Sequence, residues 1–518
     1  MLQPDRRRFL RHALAWPLGL QTLQWSSHAL ATAGPDYKAL VCVFLMGGND
    51  AYNTVLATDD DSWRHYQDHR NPASRQTGSD TASIALLPVG TPPDLISSNP
   101  LARLGGVLPL PTSSRPEHTG RSFGLHPSLA RSAALYEAGR LAVVANVGPL
   151  LAPMSKSQWL DEAVAKPGKL FSHIDQQSTW QSFRPQGDGD GWGGRMADLL
   201  MPTQLDEVGM RAWRALACMT PSNEALWLSG RHMQPCFTSP THVLTLGQQG
   251  RLMDSSALHD AVRSVMRGAE DEAHLLRQAH QEAARRGFDA SDLLAPNLPG
   301  QFVAPWGTPG ASNIWNDPLL QYDTAVGGGT NDLAVQLQMV ARLIEANRSA
   351  SAGVNRQMFF VTLSGFDTHD RQSVQHALRL AQLDHALSYF DGVLADMPGG
   401  DLRSRVTTFT CSEFGRAFTN NGDGSDHGWG GHHLVMGGAV RGGHMHGRFP
   451  TYATADASGQ FDSPDQIHNG VLLPSLSVDQ YAATLGSWMG LSDNQLLSLM
   501  PNLAQFPTEQ RRLGFMAA

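Results

Sequence analysis

Three stretches of this sequence set carboxylates, two of them beside imidazoles, just after apolar runs. "MGGND" closes the run at 39–46 with Asn49 and Asp50, and "SGFDTHDRQ" follows 357–364 with Asp367 and His369. "SEFGRAFTNNGDGSDHGWGGHH" follows the run that starts at 405 and carries Glu413, Asp426 and His427. Mixed carboxylate and imidazole groups are the ligands of zinc or manganese, with calcium or magnesium favoured where oxygen dominates. Asp367 and His369 are two residues apart, so on an extended segment they point the same way. Asp426 and His427 are neighbours that would diverge on a strand, but Gly424 and Gly428 allow the backbone to turn both inward. Each motif has a plainer reading. An Asp after a strand caps a helix, "GGND" makes a turn, and His369 can sit on a helix surface.

Other groups could complete such a site. His432 and the pair His444 and His446 are further candidate ligands, whereas His433, entering a strand, reads as a core residue. "KLFSHIDQQSTW" offers Ser172, His173 and Asp175. Ser172 would be a nucleophile on phosphorus or sulfur if a metal lowered its pKa, or else the cap of the helix that starts there. Arg416 could hold a substrate oxyanion, or lie in a surface salt bridge. The loop 412–433 holds six glycines and little to bury. Ordering it is entropically costly, so it is either a surface excursion or tied down, for instance by an ion.

The elements that must position these groups can be read from hydrophobic spacing. Apolar runs at 39–46, 141–147, 357–364, 405–412 and 433–440 are mostly continuous, as for strands covered on both faces. Leu333, Leu337, Val340 and Ile344 make one helical stripe, and Leu380, Leu383, Leu387, Phe390 and Leu394 another. Ser477 with Gln480 predicts a capping box ahead of a third helix. Strands alternating with helices predict an α/β fold with a mainly parallel sheet, doubly wound with helices on both faces. In such sheets ligands bind at the carboxyl ends of the strands, which is where the three motifs fall. One domain is expected over 34–518, with a cap or insertion at about 58–120 and a helical and loop-rich insertion at about 200–330.

Composition narrows the partners. The formal net charge is −8, which argues against nucleic acid, since phosphate binding is driven by Lys and Arg. No apolar stretch is long enough to span a membrane. Four cysteines do not make a disulfide framework, although Cys218 and Cys236 could pair in an oxidising compartment. Residues 1–33 read as an export leader: "RRRFLR", a modest apolar run, then "ALATAG". The arginine pair resembles the twin-arginine signal, implying a periplasmic or secreted protein exported already folded.

The motifs "GGNDAYNT", "GLHPSL", "SHIDQQ", "GWGGR", "GFDTHDRQ", "SEFGRAFTNNGDGSDHG" and "GGAVRGG", in this order, resemble the bacterial family known as domain of unknown function 1501. That family is distantly similar to the alkaline phosphatase and sulfatase superfamily. The resemblance implies an alkaline-phosphatase-like fold with two metal ions. Asp50 would match the first-strand ligand, Asp367 and His369 the central pair, and Asp426 with His427 the adjacent Asp-His pair. Glu413 and His432 stand in reserve, because Ser412-Glu413 occupies the place of an Asp-His pair. The expected function is an exported, metal-dependent hydrolase of small-molecule or polymer phosphate or sulfate esters. The rival is a non-catalytic envelope protein on a decayed hydrolase scaffold, binding a surface polymer or a partner protein.

Overall fold

The computed structural model of the protein describes residues 36–71, 83–111, 115–186, 189–268, 274–350 and 352–517. The leader expected at 1–33 lies outside the described residues.

A nine-stranded sheet carries the fold. Its strands are β1 (Lys38–Met46), β2 (Leu141–Gly148), β3 (Cys218–Thr220), β4 (Cys236–Phe237) and β5 (Arg356–Ser364). They continue with β6 (Val406–Cys411), β7 (Gly431–Met436), β8 (Met445–His446) and β9 (Leu476–Ser477). The spatial order is β8-β2-β7-β6-β1-β5-β3-β4, with β9 also paired to β2. β1 lies at the centre, parallel to β5 and β6, and Ala39 to Leu45 are no more than 2% exposed. That burial on both faces is why the run is continuous rather than alternating.

The sheet is mixed, where the sequence pattern suggested a mainly parallel one. β7 runs antiparallel to both β6 and β2. The cause is the connection: only the loop 412–430 joins β6 to β7, and a parallel neighbour would need a crossover of the kind a helix supplies.

Six helices matter for the site: α1 (Ala51–Thr54), α2 (Asp60–Arg70), α3 (His173–Ser182), α4 (Asp332–Ser349), α5 (Gln372–Ala395) and α6 (Val478–Met489). The stripes expected on α4 and α5 are buried, from Leu333 to Ile344 and from Leu380 to Leu394. Ser477 and Gln480 form the capping box that starts α6. The segment after β1 holds α2 and a small antiparallel sheet of Val55–Ala57, Leu108–Pro109 and Phe123–Leu125. Helices Ser256–Arg267 and Leu275–Leu294 lie between β4 and β5.

All four cysteines are buried and free, Cys218 and Cys236 included. Cys42 and Cys411 face each other from β1 and β6 with their sulfurs 4.0 Å apart. Among the described residues no helix is long and apolar enough to cross a membrane.

Candidate metal centre

The ends of β1, β5 and β6 meet at one edge because the backbone there is bare. Gly47, just after β1, has φ +118°, and a Cβ on it would lie 2.3 Å from the amide nitrogen of Asp367. Its own N–H donates to Glu413 Oε1 at 2.8 Å. Gly47→Ala therefore meets both a backbone strain and a backbone clash. It is expected to destabilise the fold by about 2 kcal/mol or more, measured by urea unfolding. An unchanged midpoint would show that this close approach carries no weight.

Four groups converge above that glycine. Asp367 follows β5, His427 comes from the hairpin Arg416–Asn420/Ser425–His427, and His173 is the first residue of α3. One ligand atom from each of His173, Asp367 and His427 lies within 4.8 Å of the other two. His173 Nε2 is 3.4 Å from Asp367 Oδ2, and His427 Nε2 is 3.4 Å from Asp367 Oδ1. His369 joins them, with its Nε2 3.0 Å from His427 Nε2 and 3.1 Å from Asp367 Oδ1. Asp426 Oδ1 is 3.5 Å from the other ring nitrogen of His369. His173 and His427 are partly buried, while Asp367, His369 and Asp426 are close to half exposed, so the cluster opens to solvent on one side.

The outer contacts fix which nitrogens face inward. His427 Nδ1 lies 2.8 Å from the carbonyl oxygen of Phe171, which can only accept, so Nδ1 carries the proton. The Nε2 lone pair is then aimed at an Asp367 oxygen, acceptor against acceptor. His173 Nδ1 lies 3.0 Å from Glu413 Oε1, a carboxylate with no exposed surface that also accepts from Gln177 Nε2 at 3.0 Å. His173 Nε2 is buried without a hydrogen-bond partner. An imidazole held through one nitrogen by a carboxylate or carbonyl is the arrangement that orients a metal-ligating histidine. The other nitrogen is without a partner in His173 and meets His369 Nε2 in His427. Phe171 itself has φ +70°, an unfavourable conformation for a bulky residue, and its carbonyl is the one that holds His427.

The electrostatics favour a positive charge at the centre. The hydrogen bond to Glu413 raises the pKa of His173 against the effect of burial, with the charges of Glu413 and Asp367 adding to it. Burial lowers that of His427, only partly offset by the Phe171 carbonyl. Burial pushes the Asp367 carboxyl up, but the hydrogen bond and charge of Arg416 more than reverse this, so it is held ionised.

Several expected residues sit elsewhere. Asp50 is wholly buried and does not join the cluster. Its carboxylate caps α1 through Tyr52 N and pairs with Arg70, whose Nη1 meets Oδ2 and whose Nη2 lies 3.1 Å from Oδ1. Gln372 Nε2 donates to Oδ2 at 2.5 Å, so both oxygens are occupied. The Ser172 hydroxyl donates to Asp175 Oδ2 at 2.6 Å, away from the cluster. No hydrogen bond links it to the cluster among the described residues. Arg416 is buried and faces inward, donating to Gly47 O, Asp367 Oδ1 and Ser425 O. It positions Asp367 and has no surface with which to grip a substrate. His432 lies inside the sheet, its Nδ1 accepting from Asn146 N at 3.0 Å and its ring stacked on Phe449. Glu413 holds His173 rather than facing the centre.

His173 was offered beside Ser172 and Asp175 but not assigned to the metal set, because "FSHID" also reads as a helix start and cap. Arg70 was also missed, since nothing local marks a partner for a carboxylate 20 residues earlier.

An α/β sheet whose strand ends present a convergent His, Asp and His set defines the protein as one with a candidate metal centre. The chain belongs to the family described as protein of unknown function (DUF1501), whose model matches residues 37–500. Neither a curated protein nor a solved structure matches it.

Proposed function

We propose that the protein is an exported, metal-dependent hydrolase of phosphate or sulfate esters, with its ion held by His173, Asp367 and His427. The observation that carries this is the pair of imidazoles tied by Nδ1, with both Nε2 atoms turned on one carboxylate. An imidazole lone pair against an anion is unfavourable until a proton or a cation lies between them, and a convergent set of three such groups suits a cation. Two imidazoles and a carboxylate suit zinc or manganese. The ion supplies Lewis acidity and an acidified water. Arg416 holds Asp367 in place, Glu413 fixes the His173 ring, and His369 with Asp426 borders the open side where an ester would enter. The attacking group would be a water acidified by the ion or the Ser172 hydroxyl, which Asp175 holds. One ion is proposed rather than two, because Arg70 and Gln372 saturate Asp50. The distant relation to alkaline phosphatases and the twin-arginine route remain part of this reading, supported by the ordered motifs and the pattern of residues 1–33.

The test is metal analysis of the full chain beside Asp367→Asn after loading with zinc or manganese. One equivalent is expected in the wild type and under about a tenth in the variant, with unchanged circular dichroism. Turnover of p-nitrophenyl phosphate, bis-p-nitrophenyl phosphate or p-nitrophenyl sulfate by the loaded wild type completes the case. A protein that takes up no metal refutes the whole reading. A loaded protein that cleaves none of the three supports the second reading, a non-catalytic envelope protein. That reading is favoured by the inward-facing Arg416 and the engaged Ser172 hydroxyl, which leave neither free for substrate.

A further inference from the structure

A second cavity, of about 690 Å³, lies between α5 and the proline-rich loop that runs over it. This volume is within the ordinary range for a small-molecule site. Its floor is one face of α5: His385, Ser388, Tyr389, Gly392, Val393 and Asp396. Its wall includes Pro305, Pro309 and Pro318, and Arg131 closes one side. None of these residues belongs to the metal centre.

Arg131, His385 and Ser388 bring donors to the lining. Asn331 uses its side-chain oxygen to accept from Leu333 N and Ala334 N, so its amide NH₂ is what meets His385 Nδ1, at 3.0 Å. Nδ1 must therefore accept, and the proton sits on Nε2, which has no partner among the described residues. Burial, with Arg131 adding to it, lowers the His385 pKa to about 4, so the ring is a neutral donor at pH 7. Arg131 is half exposed and only loosely paired, its Nη1 3.5 Å from Asp384 Oδ2. Its remaining N–H groups have no side-chain acceptor among the described residues. The Ser388 hydroxyl is likewise unengaged. Asp396 is the lining carboxylate, and it lies 11 residues from His385 along the helix, roughly 16 Å away.

We propose that this cavity binds a small organic acid with an apolar body, its carboxylate taken by Arg131 and the His385 Nε2–H and its body laid along the proline wall over Gly392. Gly392 is what keeps the floor open: a Cβ there would meet nothing within 4 Å. A larger side chain would enter the cavity while improving helix propensity.

The experiment is titration calorimetry of the full chain with 2-naphthoate and its uncharged analogue 2-naphthylmethanol. Naphthoate is expected to bind with Kd below about 1 mM and the alcohol about tenfold more weakly, since the charge-assisted contact is lost. Gly392→Leu should abolish binding of both without lowering thermal stability. Arg131→Gln should weaken the acid about tenfold and leave the alcohol unchanged. No binding of naphthoate up to about 5 mM, equal affinity for acid and alcohol, or unaltered binding by Gly392→Leu would each overturn the assignment.

Discussion

Lowering the pH from 8 to 5 is expected to remove at least about 5 kcal/mol of folding stability, a large part of what a typical domain possesses. The cause is a set of histidines that stay neutral inside the fold. Burial lowers the pKa of His376 to about 4 and those of His432 and His433 to about 3. Asp50 pulls the first two upward without offsetting that burial. His433 has neither ring nitrogen hydrogen-bonded and packs against Trp180 and Tyr481. In the unfolded chain these groups titrate near 6.5. Because the folded pKa values are depressed, the unfolded state takes up the extra protons. The stability they confer is thus complete above about pH 6.5 and is lost as pH falls toward 3 to 4. At pH 5 each accounts for about 2 kcal/mol. Asp479 works the other way: burial raises its carboxyl to about 6, so acid returns about 1 kcal/mol there. Guanidinium unfolding at pH 8, 7, 6 and 5 measures the net slope. A midpoint independent of pH over that range would contradict it.

Arg70→Met is expected to cost about 3–5 kcal/mol, because it leaves a fully buried carboxylate without its cation. Both Asp50 and Arg70 side chains have no solvent exposure, and the guanidinium also donates to Ala417 O and lies over the Tyr52 ring. After substitution Asp50 would keep Gln372, Tyr52 N and the weaker fields of His376 and Arg416. The double variant Asp50→Asn/Arg70→Met should recover part of the loss, since the charge and its partner leave together. Metal content should not change in any of these variants. A loss of bound metal in Asp50→Asn at full stability would instead return Asp50 to the ligand set. A cost below about 1 kcal/mol for Arg70→Met would show the pair to be far more hydrated than its burial implies.

Much of the scaffold was legible in the residues. β1 and β5 stood out because strands covered on both faces need unbroken apolar runs, and the α6 start because Ser477 and Gln480 are a local signal. Asp367 and His427 could be picked out because they follow strands that end at the same edge. What escaped depended on distant chain. The diversion of Asp50 to Arg70 and Gln372 requires knowing which helices pack over the end of β1. His173 was named but given no metal role because its neighbour Ser172 satisfied a local capping pattern. The antiparallel course of β7 follows from the loop before it, whose glycines read equally well as an excursion. In the fold that loop is packed. A Cβ on Gly424 would lie 2.3 Å from the His369 carbonyl carbon, and Asp423 O and Ser425 N bond the backbone of Gln372 and Thr368. Backbone contact, rather than an ion alone, holds it.

The four enclosed thiols make the protein its own reporter of opening. Cys42, Cys218 and Cys411 lie in the main sheet, so an alkylating reagent reaches them only when the sheet parts. Cys236 borders a separate apolar cavity of about 290 Å³ beside Phe237 and Phe288, under the helical insertion. Cys236 sits in β4, the edge strand of that sheet. Mass-resolved alkylation would therefore time the loosening of this edge separately from the rupture of the sheet centre at Cys42 and Cys411, with no label engineered in.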